Sequence, residues 1–168
     1  MTDDARIAYI GLGSNLNDPV AQILRALDSL HGLPRTRVVS HSRLYRNPPL
    51  GPQDQPDYVN AVAAVSTGLE AAELLSAVQS IERAQGRTRD AGRWGPRTLD
   101  LDILVYADAQ IDQDGLRVPH AGIAERSFVL VPLAEIAPDL HVPGLGPVAV
   151  LLRSVDRSGL VAIDDVDA

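Results

Sequence analysis

LDLDILVY, residues Leu99 to Tyr106, is the stretch on which the reading of the chain turns. Side chains alternate along a strand with a period of two, so Leu99, Leu101, Ile103 and Val105 are predicted to face one way and Asp100 and Asp102 the other. The two carboxylates then share a face, with Cα atoms about 6.6–7 Å apart, a spacing from which both can reach one or two divalent cations. The preceding residues, Arg87 to Thr98 (RTRDAGRWGPRT), place Arg87, Arg89, Arg93 and Arg97 around the lone tryptophan, Trp94. Gly92, Gly95 and Pro96 interrupt them, and the absence of apolar periodicity predicts a loop. Taken alone, an arginine run is usually a solvated face, and paired aspartates at a strand edge are usually edge protection. Adjacent in one segment, with more arginines than the two aspartates can neutralise, they point to a polyanionic ligand bound with metal, as in phosphoryl transfer.

Composition narrows the chemistry. The chain has 168 residues, 45% of them hydrophobic, which predicts a single domain over 1–168 with an ample core and an acidic tail from about residue 157. There is no cysteine, which removes disulfides, thiolate catalysis and cysteine zinc sites and leaves His, Asp and Glu as ligands for a hard metal. All fifteen basic residues are arginine, so neither Schiff-base chemistry nor the lysine of a Walker loop is available. A formal net charge of −7 argues against broad electrostatic binding of nucleic acid. No apolar run reaches the ~18–20 residues of a membrane span, and MTDDARIAYIG carries acids where a signal peptide has positive charge. The expectation is a cytoplasmic protein.

Outward from the central stretch, Ile7 to Leu12 is predicted as a strand. Asp18-Pro19 caps a helix whose Val20, Ile23, Leu24, Leu27 and Leu30 keep helical spacing until Gly32. The Gly11-Leu12-Gly13 start lacks the third glycine of a dinucleotide motif, since Leu16 stands there. Arg37 to Tyr45 and Tyr58 to Ser66 read as strands separated by NPPLGPQDQP, whose four prolines predict a stiff, ligand-facing loop. Thr67 to Glu70 has capping-box spacing before a helix with Leu74, Leu75, Val78 and Ile81 inward, Gln79 and Glu82 on its polar side, and an end near Gly86. Ala107 to Asp114 is predicted as turn-like, Leu116 to Val118 as an edge strand closed by Pro119-His120, Arg126 to Ile136 as a short helix disturbed by Pro132, and Pro147 to Val155 as a last helix. AIDDVDA reads as a frayed tail. Strand, helix, two strands, helix, strand and further short pieces imply an α+β sandwich of mixed or antiparallel sheet, which a ferredoxin-like core fits.

NPPLGPQDQPDYVNA, IERAQGR, RWGPRTLDLDIL and VPH, in that order, make the chain resemble the 6-hydroxymethyl-7,8-dihydropterin pyrophosphokinases of folate biosynthesis from about Ile7 to about Pro143. The resemblance implies a ferredoxin-like α/β/α sandwich with a mostly antiparallel mixed sheet. It also implies transfer of the β,γ-pyrophosphoryl group of ATP to the pterin hydroxymethyl, with release of AMP and use of two Mg²⁺ ions. Asp100 and Asp102 match metal-binding aspartates; Arg87 and Arg97 match phosphate-binding arginines flanking a mobile lid that carries Arg89, Arg93 and Trp94. Gln79, Glu82, Ile103, His120 and Arg126 match nucleotide-site positions. Tyr58 and Phe128 match aromatics that sandwich the pterin, Asn60 a residue reading its edge, and Asn47, Pro48 and Leu50 the pterin loop; Trp94 would move to the pterin as the lid closes. The proton acceptor would be either Asp102 or a water on the metal, with His120 and Arg97 steadying charge on AMP. The chain differs from many relatives in having Asn47 for threonine, Ala121 for tyrosine and Asp90 for a basic residue, yet no matched metal ligand or flanking arginine is lost, so an active enzyme is expected.

Two other classes of function follow from the same features. A ferredoxin-like RNA-binding module would use the arginine loop and exposed aromatics, but the acidic balance and the aspartates beside the arginines count against it. A structural adaptor would bind no nucleotide. The expected partners are ATP and the pterin, acting on a monomer without nucleic acid or membrane.

Overall fold

The computed structural model describes residues 5–15, 18–48, 57–86, 99–113 and 115–163. Arg87, Arg89, Arg93, Trp94 and Arg97, with Leu50 of the proline-rich loop and residues 164–168 of the tail, lie outside the described residues. In chain order the elements are β1 (Arg6–Ser14), α1 (Pro19–His31), β2 (Thr36–His41), β3 (Leu44–Asn47), β4 (Tyr58–Thr67), α2 (Ala71–Ala84) and β5 (Asp100–Tyr106). They continue with β6 (Ile111–Gln113), β7 (Leu116–Val118), a 3₁₀ turn (Ile123–Glu125), α3 (Ser127–Ile136), β8 (His141–Val142), β9 (Gly146–Pro147), α4 (Val148–Leu152) and β10 (Val161–Ile163).

The main sheet has the order β10-β3-β4-β1-β5, with β2 also on β4, and every pairing in it is antiparallel. This is the expected ferredoxin-like α+β arrangement, with an antiparallel sheet where the sequence left mixed or antiparallel open. Helices cover both faces. On one, Ile23, Ala26, Leu27 and Leu30 of α1 and Leu74, Val78 and Ile81 of α2 pack on Ala8, Ile10, Leu12, Val59, Ala61, Ala63, Val65, Leu101 and Ile103. On the other, Val129, Leu130 and Leu133 of α3 meet Val62, Leu104 and Val105. Each large apolar side chain so buried contributes roughly 1.5–3 kcal/mol against exposure.

Several elements differ from expectation, each for a local reason. Val105 does not share a face with Ile103: Ile10 pairs with Ile103 and Tyr9 with Val105, so Leu104 is an extra residue in β5 and the bulge sends both Leu104 and Val105 toward α3. The stretch Arg37 to Tyr45 is two strands. Buried Ser42 breaks it, its N–H donating to Val62 O at 2.8 Å while its Oγ accepts from Val62 N at 3.0 Å. The cap of α2 is Glu70, not Thr67; Glu73 accepts from Glu70 N at 2.8 Å, and Thr67 Oγ1 instead accepts from Leu69 N at 3.1 Å. Ile111–Gln113 is a strand, paired with β7 in a separate hairpin, and Val161–Ile163 is a strand on β3 rather than part of a frayed tail. α3 runs through Pro132, which is buried, so packing outweighs the missing N–H. The last helix is short, Val148–Leu152. Asp18 and Pro19 start α1 as expected, Asp18 Oδ1 accepting from Ala21 N at 3.4 Å. No helix of the described residues is long and apolar enough to cross a membrane.

Candidate active site

The site begins with the pleat of β5. Asp100 and Asp102 lie on the α3 side of the sheet, opposite Gly13 and Gly11 of β1. Neither glycine has a side chain to fill the floor in front of the carboxylates. At Gly13 the space is needed: a Cβ there would stand 2.9 Å from Asn60 Oδ1. Asp100 and Asp102, both half-buried, together with Asn60, His120, Arg126 and Phe128, surround a cleft of about 50 Å³.

His120 follows β7, and its main-chain N–H donates to Leu104 O at 2.9 Å, which docks the residue on the outer edge of β5. Its Nδ1 accepts from Gly122 N at 3.1 Å, so the neutral ring carries its proton on Nε2, 3.8 Å from Asp102 Oδ2. Burial lowers the His120 pKa, the charges of Arg126 and Arg117 lower it further, and the opposing pull of Asp100 does not restore it. The imidazole is thus held in its neutral form. Gly122 makes room for Arg126, since a Cβ there would lie 2.6 Å from Arg126 Nε, and the guanidinium reaches over Phe128, 5.9 Å from the ring centroid. α3, which carries Phe128, is fixed to β3 by Glu135, whose Oε1 accepts from Tyr45 OH at 2.5 Å and whose Oε2 accepts from Arg43 N at 3.0 Å.

At the other side of the cleft, Asn60 Nδ2 donates to Asn47 Oδ1, and Asn47 Nδ2 donates to Pro48 O at 3.0 Å. The amide at 47 therefore orders Asn60. Tyr58 stands two residues before Asn60 on the same face of β4, directly across from Asn47 in the ladder. The structure brings Asn47, Asn60, Asp100, Asp102, His120, Arg126 and Phe128 into one neighbourhood, with Pro48 and Tyr58 beside it.

The positions matched to a nucleotide site divide. Ile103 and His120 line a second cleft of about 340 Å³ on the outer side of β5, with Asp102, Leu75, Leu116, Arg117 and Ala121. Arg126 faces the first cleft, and Gln79 lines neither. Glu82 is not on a solvated side of α2: it is 3% exposed, and its Oε2 accepts from Leu101 N at 2.7 Å. Helical periodicity, which puts Glu82 on the polar side of α2, cannot tell a carboxylate that satisfies a strand edge from one that faces water. Sequence reasoning missed Gly11, Gly13, Gly122, Leu116 and Arg117. The period-two glycines opposite the period-two aspartates were the available signal.

The donor set suits a hard cation. Two carboxylates share one face with no sulfur ligand nearby, and among the described residues no three His, Cys, Asp or Glu side chains gather to enclose a metal. A cation held by Asp100 and Asp102 would complete its shell with water or phosphate oxygens.

Residues 9–138 match the family described as 7,8-dihydro-6-hydroxymethylpterin-pyrophosphokinase. The chain is 55% identical over 152 residues to the 2-amino-4-hydroxy-6-hydroxymethyldihydropteridine pyrophosphokinase of Pseudomonas aeruginosa, covering 90% of this chain and 93% of that protein. It is 51% identical over 146 residues to the protein of the same name from Haemophilus influenzae, covering 87% and 91%. Among solved structures, the Plasmodium falciparum HPPK-DHPS triple mutant superposes with a TM-score of 0.71 at 14% identity, over 89% of this chain and 43% of that longer one, a likeness of fold. The chain belongs to the 7,8-dihydro-6-hydroxymethylpterin-pyrophosphokinase family.

Proposed function

We propose that the chain transfers the β,γ-pyrophosphoryl group of ATP to the hydroxymethyl oxygen of 6-hydroxymethyl-7,8-dihydropterin, giving AMP and the pterin diphosphate for folate biosynthesis. Family membership supports the reaction. The observation that carries the assignment of the site is that Asp102 and His120 wall both clefts. One cleft has an amide and an aromatic ring, Asn60 and Phe128, suited to a flat hydrogen-bonding heterocycle; the other has Leu75, Ile103 and Leu116, suited to a nucleoside. A phosphate chain joining the two would cross Asp100 and Asp102.

In the reaction the pterin hydroxyl oxygen bonds to the β-phosphorus, the bond from that phosphorus to the α,β-bridging oxygen breaks, and the hydroxyl proton is released. Asp100 and Asp102 would hold Mg²⁺, two ions in the family's manner, which supplies charge neutralisation for the phosphates. By their family match, Arg87 and Arg97 would supply positive charge to the phosphates. Neutral His120 offers its Nε2–H on the nucleotide side, and Asn60, held by Asn47, offers its amide to the pterin edge. The same reading has the enzyme working as a cytoplasmic monomer.

Phosphorus nuclear magnetic resonance of protein incubated with Mg²⁺, ATP and the reduced pterin alcohol tests the proposal. It should show AMP and a pterin ester with two coupled phosphorus signals. A monophosphate ester accompanied by ADP would refute it.

A further inference from the structure

In the sheet, β5 pairs with β1 and ends the strand order, so among the described residues its outer side has no strand partner. Outward main-chain groups on such an edge need partners from elsewhere. Two are supplied. Leu104 O accepts from His120 N at 2.9 Å, and Leu101 N donates to Glu82 Oε2 at 2.7 Å. Leu101 lies between Asp100 and Asp102, so the main chain that Glu82 grips is the segment that spaces the two carboxylates. Glu82 projects from α2 beside Val78 and Ile81, whose burial fixes the helix against the sheet, and it is itself 3% exposed. Burying a carboxylate is costly without hydrogen bonds, and a bond to a charged acceptor is stronger than a neutral one.

We propose that Glu82 is the positioning residue of the Asp100–Asp102 pair, acting through Leu101 rather than on the nucleotide. The inference rests on the reading of that pair as the cation and phosphate site given above. α2 then sets the spacing and direction of the carboxylates from behind the strand.

The test compares Glu82→Ala and Glu82→Gln with the wild type in the full chain. In ligand-free, ¹⁵N-labelled protein the Leu101 amide of Glu82→Ala should exchange about tenfold faster or more relative to the amides of β1, the scale of one lost bond to a charged acceptor. Glu82→Gln keeps an acceptor oxygen and should stay near the wild type in exchange. At saturating ATP and pterin, Glu82→Ala should lose about 10- to 100-fold in kcat and need more Mg²⁺ for half-maximal rate, as positioning residues behind metal ligands do. Its KM for ATP at saturating Mg²⁺ should hold, and Glu82→Gln should fall between the two. If Glu82→Ala does not fold, Glu82→Asp, one methylene shorter, takes its place with the same expectations. Unchanged Leu101 exchange overturns the clamp, whether or not the wild type is active. Faster exchange with wild-type kcat and Mg²⁺ requirement makes Glu82 merely structural, and a rise in the KM for ATP alone, equal in both variants, makes it a nucleotide contact; either result overturns the proposal. A wild type that forms no AMP with the pterin overturns instead the reading of the site on which it rests.

Discussion

The two faces of the main sheet share β1, β4 and β5 and do different work. Toward α1 and α2, β1, β4 and β5 present Ala8, Ile10, Leu12, Val59, Ala61, Ala63, Val65, Leu101 and Ile103, a continuous apolar layer. Toward α3 they present Val62, Leu104 and Val105 where that helix covers them, and Asn60, Asp100 and Asp102 at the cleft. Neighbouring residues of one strand therefore belong to the core and to the site in turn. Stability and activity are separable by parity along the chain.

The largest effect that sharpens this contrast is on the core face. Leu74→Ala removes a side chain with 0% exposure and should cost about 2–5 kcal/mol in urea unfolding. Turnover per folded molecule should stay at the wild-type value, and a matching loss of kcat would break the separation. On the other face, Gly13→Ala would press a Cβ to 2.9 Å from Asn60 Oδ1. Overpacking of this kind costs roughly 1–3 kcal/mol, and because Asn60 must move, the KM for the pterin should rise while that for ATP holds. Phe128→Leu should weaken pterin binding by about 0.5–1.5 kcal/mol, the worth of an aromatic stack, as read by calorimetry with a non-hydrolysable ATP analogue present.

The smallest effect concerns pH. Burial and the nearby arginines hold His120 below its unfolded pKa. In the window between the two values the unfolded chain binds a proton that the folded chain does not, so stability falls as pH drops below about 6.5 and this loss is absent above it. His120→Gln should make the fall in urea midpoint between about pH 7.5 and 5.5 shallower, His31, His41 and His141 being common to both proteins. An equal or steeper fall would contradict the neutral imidazole.

The difference between the faces also explains what could be read before the structure. Asp100 and Asp102 are legible as sharing one face because the period of two is local to the strand. Val105 departs from its predicted face because the bulge at Leu104 is set by the register with β1, ninety and more positions earlier in the chain. Ile111–Gln113 is too polar to read as a strand, and Val161–Ile163 too short and too near acidic residues; each becomes one by pairing with a segment the sequence does not place beside it. Ser42 splits its strand through a side-chain bond to Val62, again a partner distant in sequence. At the site, the paired aspartates are legible from their local spacing, while His120 and Asn60 enter through the family resemblance; the structure places all four around one cleft. Those that act by absence, Gly11 and Gly13, and the buried carboxylate of Glu82 needed the fold to give them meaning.

On the proposed reading, pyrophosphoryl transfer depends on the carboxylates of β5. The measurement that tests it most directly is chromatography of nucleotides from wild type and Asp102→Asn, each shown to be folded by its melting curve, incubated with Mg²⁺, ATP and the reduced pterin alcohol. Wild type should release AMP and pterin diphosphate in equal amounts, and Asp102→Asn should be slower by about 10²–10³, the scale of one lost preorganised charge. ADP in place of AMP, or AMP from Asp102→Asn at close to the wild-type rate, would contradict the account.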